Sequence, residues 1–292
     1  MLSILIPTYN ERVVKLVQML SKQKNKLNTP VEILVFEDNS SERYRLENEK
    51  VNTYLGVNYI YFSEKMGRAG LLKRLLATAR YDYVLILDAG LMPSGAKFLK
   101  NYMESLESAL VLVGGWELKR KKPTSAQKML DYKLATKMVK NQKSHDHRTA
   151  WSFLSFSNAV FPKSLLQDFD HFSGWNEHKN LENEWLRQSI PPHQVLLVNS
   201  LMLYPPLTDS QNLIENQKQF LTELALNMDS FPKNRMVTFY HRLQKLKLVG
   251  ITTKILNTNL TSIYNKLTSA NPSLASWHKW RFAYFLNAVK KT

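Results

Sequence analysis

The chain opens with the stretch Ser3-Ile4-Leu5-Ile6-Pro7-Thr8-Tyr9-Asn10-Glu11, in which a short apolar run stops at a proline and a polar turn. Two further apolar runs, 32–38 and 83–88, end in acidic residues. Runs of this length, separated by helix-like stretches, are typical of parallel strands covered by helices on both faces. Ligands of such sheets bind beyond the carboxyl ends of the strands. The polar residues that fall there are Thr8, Asp38 and Asp88.

The composition is that of a folded protein. The chain has 292 residues, 44% of them hydrophobic and 11% aromatic, enough for one large α/β domain with an appendage or for two small domains. It has no cysteine, which excludes disulfides and cysteine-ligated zinc and fits a cytosolic setting. We expect no signal peptide and no membrane-spanning run, and therefore a soluble or peripheral protein.

The net charge of +16 is concentrated in two segments. Residues 230–292 contain eleven Lys or Arg and no Asp or Glu, and residues 119–148 contain ten bases and two acids. These segments contribute +11 and +8, so the rest of the chain carries −3. Local positive charge indicates an anionic partner, which could be a phospholipid surface, a nucleic acid or an acidic glycan.

Apolar periodicity predicts the remaining elements. We expect helices over 13–27, 67–79 and 213–227, and strands over 57–62, 109–114, 153–161 and 194–203. Beyond residue 228 the sequence predicts two or three basic amphipathic helices, interrupted near Gly250 and at Asn271-Pro272. We therefore expect a domain over 1–228 and a helical extension over 229–292.

The chain resembles the family 2 glycosyltransferases. The matching stretches are 3–11, 32–41, 64–70 and 81–88, with weaker similarity over 152–161 and 172–190. The resemblance implies the Rossmann-like nucleotide-diphospho-sugar transferase fold, a mostly parallel central sheet flanked by helices, followed here by a C-terminal helical extension. It also implies transfer of a sugar from a nucleotide-diphospho-sugar donor to a cell-surface glycan or a lipid-linked acceptor.

Such a reaction needs groups that hold the nucleoside, neutralise the diphosphate and deprotonate the acceptor hydroxyl. The resemblance places the nucleoside near Pro7, Thr8, Tyr9 and Glu11, with Asp38 accepting a hydrogen bond from the base. Alternatively, Asp38 caps the turn at 39–41. The basic residues offered to the phosphates are Arg68, Lys73 and Arg74. Lys73 and Arg74 do not match the position of the family's phosphate-binding arginine. They would bind phosphate only if their helix were rotated or shifted.

Family members usually hold Mg²⁺ or Mn²⁺ with an Asp-x-Asp triplet, which here reads Asp88-Ala89-Gly90. The second carboxylate is missing, so Asp88 would have to serve alone. One carboxylate with water and phosphate oxygens holds Mg²⁺ only weakly until substrate arrives. A late histidine of the family is also absent near 203–206. The resemblance therefore implies a divalent cation that Gly90 puts in doubt.

The family's catalytic base lies in a Glu-Asp pair that opens a late helix. The matching segment is 180–186, in which Asn183 replaces the Asp, so the base would be Glu182 or Glu184. Residues at i and i+2 project to different sides of a helix, so only one of the two would face a cleft. Alternatively, both are acids of a first helical turn that stabilise the helix N-terminus.

Three tryptophans, Trp151, Trp175 and Trp185, are candidates to stack on acceptor sugars, and buried packing is the alternative. The spacing of the histidines indicates no zinc site. In the tail, bases alternate with aromatics such as Trp277, Trp280 and Phe285, a pattern that suits an anionic membrane surface. The alternative is a helical appendage that packs on the first domain with its lysines in water.

The sequence leaves two functions open. The first is a hexosyltransferase-type enzyme of polysaccharide biosynthesis in the cell envelope, in the cytoplasm and peripheral on the inner face of a bacterial membrane. The second is a catalytically inactive scaffold that binds a glycan, a nucleotide sugar or a partner enzyme, because several positions of the family's motifs are altered. Nucleic-acid binding is disfavoured, since the sequence has no helix-turn-helix, finger or RNA-recognition signature.

Overall fold

A computed structural model describes residues 1–144, 146–167 and 181–291. Their contacts divide the chain into two units. The sheet unit comprises Met1–Glu117, Gln142–Lys179 and Ile190–Pro205, and the helical unit comprises Leu118–Asn141, Asn180–Ser189 and Pro206–Thr292. The helical unit thus includes residues that the sequence assigns to the first domain, and the boundary at residue 228 stays a prediction.

The sheet unit contains a seven-stranded sheet. Its strands are β1 (Leu2–Thr8), β2 (Val31–Asp38), β3 (Val57–Phe62), β4 (Tyr83–Leu87), β5 (Val111–Glu117), β6 (Asn158–Pro162) and β7 (Val195–Leu203). They lie in the order β3-β2-β1-β4-β6-β5-β7. Neighbours run parallel, except that β6 is antiparallel to both β4 and β5. The predicted mostly parallel sheet is therefore confirmed.

Helices cover the sheet. Their apolar residues recur at helical spacing, so these helices have an apolar face that packs against the strands. The first helices along the chain are α1 (Val14–Lys24), α2 (Glu42–Asn48), α3 (Gly67–Thr78), α4 (Phe98–Ser105), α5 (Met129–Asn141), α6 (His147–Ser152) and α7 (Lys163–Gln167). All but α5 belong to the sheet unit. α1 buries Leu16, Val17 and Leu20. β1 and β2 are buried along their whole length, as expected of central parallel strands.

Buried polar contacts fix the antiparallel strand β6. The hydroxyl of Tyr102 donates to Asn158 Oδ1 at 2.9 Å, and Asn158 Nδ2 donates to the Ser200 carbonyl oxygen at 3.0 Å. A Cβ atom on Gly114 would lie 2.0 Å from Asn158 Nδ2 and 2.2 Å from that carbonyl oxygen. Only glycine therefore fits at position 114 of β5.

The helical unit is built from α5 and six later helices. These are α8 (Glu182–Ser189), α9 (Ser210–Leu226), α10 (Arg235–Lys245), α11 (Val249–Thr258), α12 (Leu260–Thr268) and α13 (Leu274–Val289). Its core is rich in aromatic side chains, among them the stacked rings of Trp277 and Trp280, 5.5 Å apart, and the fully buried Phe285. The expectation that these three aromatics face a membrane is wrong, because their side chains are buried in the core of the helical unit.

The predicted helical extension is confirmed, but its described residues form four helices rather than two or three, and one of the two predicted breaks lies elsewhere. α12 and α13 are separated at Asn271-Pro272, as expected. The other break lies at Lys247, whose φ is +56°, and Gly250 lies inside α11. The Leu248 N–H donates to the Leu243 carbonyl and the Lys247 N–H to the Gln244 carbonyl, which is a Schellman motif.

None of the helices in the described ranges combines the length and the apolarity that crossing a bilayer requires.

Candidate functional site

Three strand ends lie side by side at one edge of the sheet. β1 lies between β2 and β4, with Thr8 opposite Glu37 and Leu5 opposite Ile86. Because the three strands are parallel, their carboxyl ends bring Thr8, Asp38 and Asp88 to the same edge. Pro7 and Thr8 are buried, and the Thr8 hydroxyl donates to the Ile6 carbonyl at 3.3 Å.

The loops that follow β1 and β2 are tied to each other. The Asn10 N–H donates to Ser40 Oγ at 2.8 Å, and the Ser41 N–H donates to Asn10 Oδ1 at 2.9 Å. Asn10 and Asn39 both have φ near +50°, a conformation that asparagine tolerates better than most residues. The two loops therefore form one connected edge beside the strand ends.

Asp38 organises the start of α3. One carboxylate oxygen accepts from the Met66 N–H at 2.6 Å and the other from the Gly67 N–H at 2.9 Å. These are two of the N–H groups that a helix leaves without a partner in its first turn. Asp38 is 2% exposed. Its predicted contact with a nucleobase stays a prediction, and its bonds to α3 are the role that the geometry shows.

Arg68 brings a positive charge to the end of β4. Its Nη2 atom lies 2.6 Å from Asp88 Oδ1 and also donates to the Phe156 carbonyl at 3.3 Å. Both charged side chains are one third exposed, so the pair is open to solvent and to a ligand. The site thus presents a guanidinium where the family's metal would be expected.

The described residues around Asp88 do not by themselves supply a full set of ligands for a divalent cation. Asp88 is already paired with Arg68, and the described ranges contain no group of three or more His, Asp or Glu side chains that could hold an ion. Glu11 adds one nearby acid, since its Oε2 lies 3.3 Å from the position that a Cβ on Gly90 would take. Two carboxylates, one of them ion-paired, fall short of the six oxygen ligands that Mg²⁺ prefers.

The other predicted donor residues have different surroundings. Tyr9 is 47% exposed, and the Lys65 ammonium lies 4.2 Å from its ring centroid. Lys73 and Arg74 are exposed, and Arg74 stacks on the Phe62 ring at 4.9 Å. At about 1.5 Å rise per residue they lie roughly 9–11 Å along α3 from its start. Of the three predicted phosphate-binding bases, Arg68 is the one at the β4 strand end.

A buried polar cluster supports the site and was not predicted. The Glu37 carboxylate accepts from the Tyr59 hydroxyl at 2.6 Å and from Asn48 Nδ2 at 3.1 Å. Asn48 also donates to the Glu11 carbonyl at 2.8 Å and accepts from the Val13 N–H at 3.0 Å. Asn48 therefore anchors the loop that carries Glu11. The acidic residue at 37 was visible in the sequence, but its partners are brought to it only by the fold.

The two candidate bases lie in the first turn of α8, in the helical unit. Glu184 is 9% exposed and accepts from Arg187 Nη1 at 2.7 Å and from Asn234 Nδ2 at 2.9 Å. Glu182 is half-buried. The carboxylate of Glu184 thus serves an internal ion pair, which matches the alternative interpretation of these acids. The catalytic role of either residue stays a prediction.

Of the three tryptophans predicted at the acceptor, the structure describes Trp151 and Trp185, which belong to different units. Trp151, in the sheet unit, donates its indole N–H to the Ile190 carbonyl at 2.7 Å. Trp185, in the helical unit, packs against Phe231 with ring centroids 4.8 Å apart. Trp175 lies outside the described residues. Trp151 and Trp185 thus have packing roles, and acceptor stacking remains untested.

The two basic segments meet within the helical unit. Lys133, Lys137 and Lys140 of α5 and Lys266 of α12 line a cavity of about 570 Å³. Lys133 is held there by the Asn271 side chain and by the Pro272 carbonyl, the latter at 2.8 Å. The charge that the sequence shows in two distant segments is therefore combined at one surface.

The sequence profile of Glycosyl transferase family 2 matches residues 3–169, more than half of the chain. Among curated proteins, the chondroitin synthase of Pasteurella multocida (strain Pm70) is 29% identical over 116 residues. That match covers 39% of this chain and 12% of the synthase, so the chain corresponds to a small part of this relative.

Solved structures share the fold at low sequence identity. A mannosyltransferase from Pyrobaculum calidifontis, in complex with GDP-Man and Mn²⁺, has a TM-score of 0.56 and 14% identity over 99% of this chain and 86% of its own. TarS from S. aureus in complex with UDP has a TM-score of 0.51 and 15% identity, over 99% and 90%. Mannosyl-3-phosphoglycerate synthase from Rubrobacter xylanophilus has 0.52 and 12%, over 80% and 75%. The fold is thus that of nucleotide-sugar glycosyltransferases.

Proposed function

Because this chain belongs to Glycosyl transferase family 2, we propose that it transfers a sugar from a nucleotide-diphosphate donor to a cell-surface glycan or a lipid-linked acceptor. The observation that carries the proposal is the Arg68–Asp88 pair at the carboxyl ends of the parallel strands. Structural relatives were solved with GDP-Man and with UDP, which supports a nucleotide-linked donor here.

In the proposed reaction, the acceptor oxygen forms a bond to the anomeric carbon of the donor sugar. The bond from that carbon to the phosphate oxygen breaks, and the hydroxyl proton passes to a carboxylate. The departing diphosphate gains negative charge, which a fixed guanidinium stabilises. Arg68 is our candidate for that guanidinium, and its contacts with Asp88 and the Phe156 carbonyl hold it in place.

No step of this proposal depends on a metal ion. The surroundings of Asp88 support a site in which Arg68 provides the positive charge for the diphosphate, although one structural relative, the mannosyltransferase, was solved with Mn²⁺. Arginine suits this task because its planar fork matches phosphate oxygens in a bidentate manner.

For proton transfer we propose Glu182 as the base. Glu184 is less suited, because it is only 9% exposed, whereas Glu182 is half-buried. The exposed ring of Tyr9 is a candidate platform for the nucleobase.

We also propose that the protein associates with an anionic membrane surface, through the turn between α10 and α11. Four large apolar side chains are exposed in this turn and in α11: Leu246, Leu248, Ile251 and Ile255, called the tip surface below. The exposed bases Lys245, Lys247 and Lys254 flank it. Apolar side chains surrounded by bases are the composition that binds the headgroup region of anionic bilayers.

One observation favours the alternative of a catalytically inactive scaffold. Three of the candidate carboxylates already have partners: Asp38 bonds to the start of α3, Asp88 to Arg68, and Glu184 to Arg187 and Asn234. A protein of this kind would still bind a nucleotide sugar or a glycan without transferring the sugar.

Donor titration by calorimetry tests the proposal, using UDP-glucose, UDP-N-acetylglucosamine and GDP-mannose with and without Mn²⁺. We expect Arg68→Met to weaken donor binding about ten- to a hundredfold, since a charged hydrogen bond is lost. Arg80→Met is the matched control, because Arg80 precedes β4 at the opposite edge of the sheet and is 80% exposed.

Equal donor affinity in wild type and Arg68→Met would refute the role of Arg68. Donor binding without hydrolysis or transfer to any glycan tested, and without an effect of Glu182→Gln, would favour the scaffold. Binding that requires Mn²⁺ would overturn the metal-free site.

A further inference from the structure

The helical unit contains a second cavity, of about 370 Å³, lined by residues of three helices. α8 contributes Glu184 and Arg187, α13 contributes Arg281, and the remaining lining residues come from α9. Those of α9 are Leu213, Asn216, Gln217 and Phe220, which recur at i, i+3, i+4 and i+7 and so share one face of that helix.

Arg281 is the unusual member of this lining. Its Nε atom is closed off from water and has no hydrogen-bond partner among the described residues. Desolvation lowers the pKa of Arg281 to about 10, against an opposing effect of the Glu184 charge. Its guanidinium also lies 6.0 Å from the Trp277 ring centroid, at the outer limit of a cation–π contact. A buried guanidinium of this kind costs stability unless an anion meets it.

Among the described residues that line the cavity, the acidic group is that of Glu184, and it already has other donors. Glu184 accepts from Arg187 Nη1 at 2.7 Å and from Asn234 Nδ2 at 2.9 Å, so its charge is shared among several groups. The described residues of the lining carry two guanidiniums and one carboxylate, an excess of one positive charge among them. This balance selects a ligand with a single negative group.

The α9 face supplies the other contacts that such a ligand would need. The amides of Asn216 and Gln217 can both donate and accept, which suits hydroxyl groups. Phe220 and Leu213 offer an apolar wall for the C–H face of a ring. The volume is at the small end of ligand cavities and fits a unit of about monosaccharide size.

We propose that this cavity binds an acidic sugar unit, with its carboxylate or phosphate on Arg281 and its hydroxyls on Asn216 and Gln217. The assignment of this unit to the acceptor rests on the proposed glycosyl transfer, but the binding itself does not. A carboxylate or phosphate group has the oxygens that pair with a guanidinium fork.

Ligand-observed saturation-transfer NMR and calorimetry test the site on the full chain in the absence of any donor. The probes are glucuronate and glucose 6-phosphate, with neutral glucose as the reference. We expect the better acid to bind at least about tenfold more tightly than glucose, and Arg281→Met to abolish that difference, because a charge-assisted hydrogen bond is worth about that factor. Lys279→Met removes an exposed charge on the same helix and should leave binding within twofold.

Thermal melting separates binding from a structural role. Because Arg281 has an unpartnered buried Nε, Arg281→Met should keep or raise the melting temperature. A lowered melting temperature, with acid binding unchanged, would overturn the site. So would equal binding of glucose and both acids. The preference between glucuronate and glucose 6-phosphate identifies the carboxylate or the phosphate as the recognised group.

The outcomes remain distinct from those of the proposed function. Acid binding that depends on Arg281, in a protein with no transferase turnover, would support this site and favour the scaffold over the enzyme. If the protein transfers sugar and Arg281→Met does not alter acid binding, the results refute this site. They do not refute the proposed enzyme activity.

Discussion

The charged residues of the sheet unit owe their roles to the partners that the fold gives them. Glu37 is fully buried and accepts from Tyr59 and Asn48, whereas the adjacent Asp38 bonds to the start of α3. Two neighbouring acids in one strand thus perform different tasks, because successive side chains point to opposite faces of a sheet. Glu37 contacts Asn48, which anchors the loop that carries Glu11, and Asp38 bonds to the start of the helix that carries Arg68.

Because of the Tyr59–Glu37 hydrogen bond, we expect the stability of the protein to depend on pH. Burial and the bond to Glu37 raise the pKa of Tyr59 above its usual value of about 10. This stabilisation is complete below that value and is lost as the pH rises through the alkaline range toward the folded-state pKa. We expect Tyr59→Phe to lower the free energy of unfolding by about 1–3 kcal/mol at neutral pH. The gap between variant and wild type should narrow at about pH 11.

Urea unfolding at both pH values measures this gap. Tyr81→Phe, which removes a hydroxyl outside the cluster, is the control. A gap that stays constant between neutral pH and pH 11 would contradict the shifted pKa of Tyr59.

At the scale of helices and strands, the sequence predicted the parts of the sheet that follow from the local pattern of apolar residues. β1, β2 and β4 are continuous apolar runs because both of their faces are covered, and their polar ends follow directly. The antiparallel direction of β6 could not be predicted, because an apolar run carries no sign of its direction. The tail aromatics were misassigned, because a core helix and an interfacial helix share the same composition.

The candidate site was predictable to a similar degree. The strand ends place Thr8, Asp38 and Asp88 together, since sequence order fixes where each strand stops. The pairing of Asp88 with Arg68 and the anchoring of the Glu11 loop by Asn48 depend on contacts between distant segments. No local pattern encodes those contacts.

The packing around β6 predicts a strong effect at a single glycine. Gly114→Ala would force a methyl group against Asn158 and the Ser200 carbonyl, where a Cβ has no room. We expect a loss of about 1–3 kcal/mol or more in the free energy of unfolding, as for other overpacked sites. Gly95→Ala is the matched control, because no atom lies within 4 Å of its Cβ position. Equal stability of the two variants in chemical unfolding would refute the tight packing at Gly114.

At the scale of the whole molecule, the net charge of +16 is organised rather than spread evenly. α5 and α12 contribute lysines to one cavity of the helical unit, and the turn between α10 and α11 carries others around the tip surface. At the tip surface, the positive charge of the lysines is combined with exposed apolar side chains. At roughly 1 kcal/mol per base near an anionic bilayer, its three flanking lysines alone would hold the chain only at low to moderate salt.

Vesicle sedimentation tests the tip surface. We expect wild type to bind vesicles that contain phosphatidylglycerol, and to bind phosphatidylcholine vesicles weakly. Ile251→Asp combined with Ile255→Asp should lose most of the binding, because it places two acids in the apolar surface. Leu55→Asp changes an 89% exposed leucine of the sheet unit and should bind as wild type does.

Raising the salt concentration should weaken the wild-type interaction with vesicles. Equal binding by wild type and the double variant would refute the tip surface. Tighter binding to duplex DNA than to vesicles, across the same salt series, would favour the nucleic-acid alternative.

The pairing of Arg68 with Asp88 also bears on how the reaction would end. An incoming diphosphate would compete with the Asp88 carboxylate for the Arg68 guanidinium, so the contribution of Arg68 to donor binding would be the difference between the two ion-pair strengths. When the nucleoside diphosphate dissociates, the Asp88 carboxylate is close enough to pair with Arg68 again. Asp88 would then act as an intramolecular displacer that hastens product release and readies the protein for its next turnover.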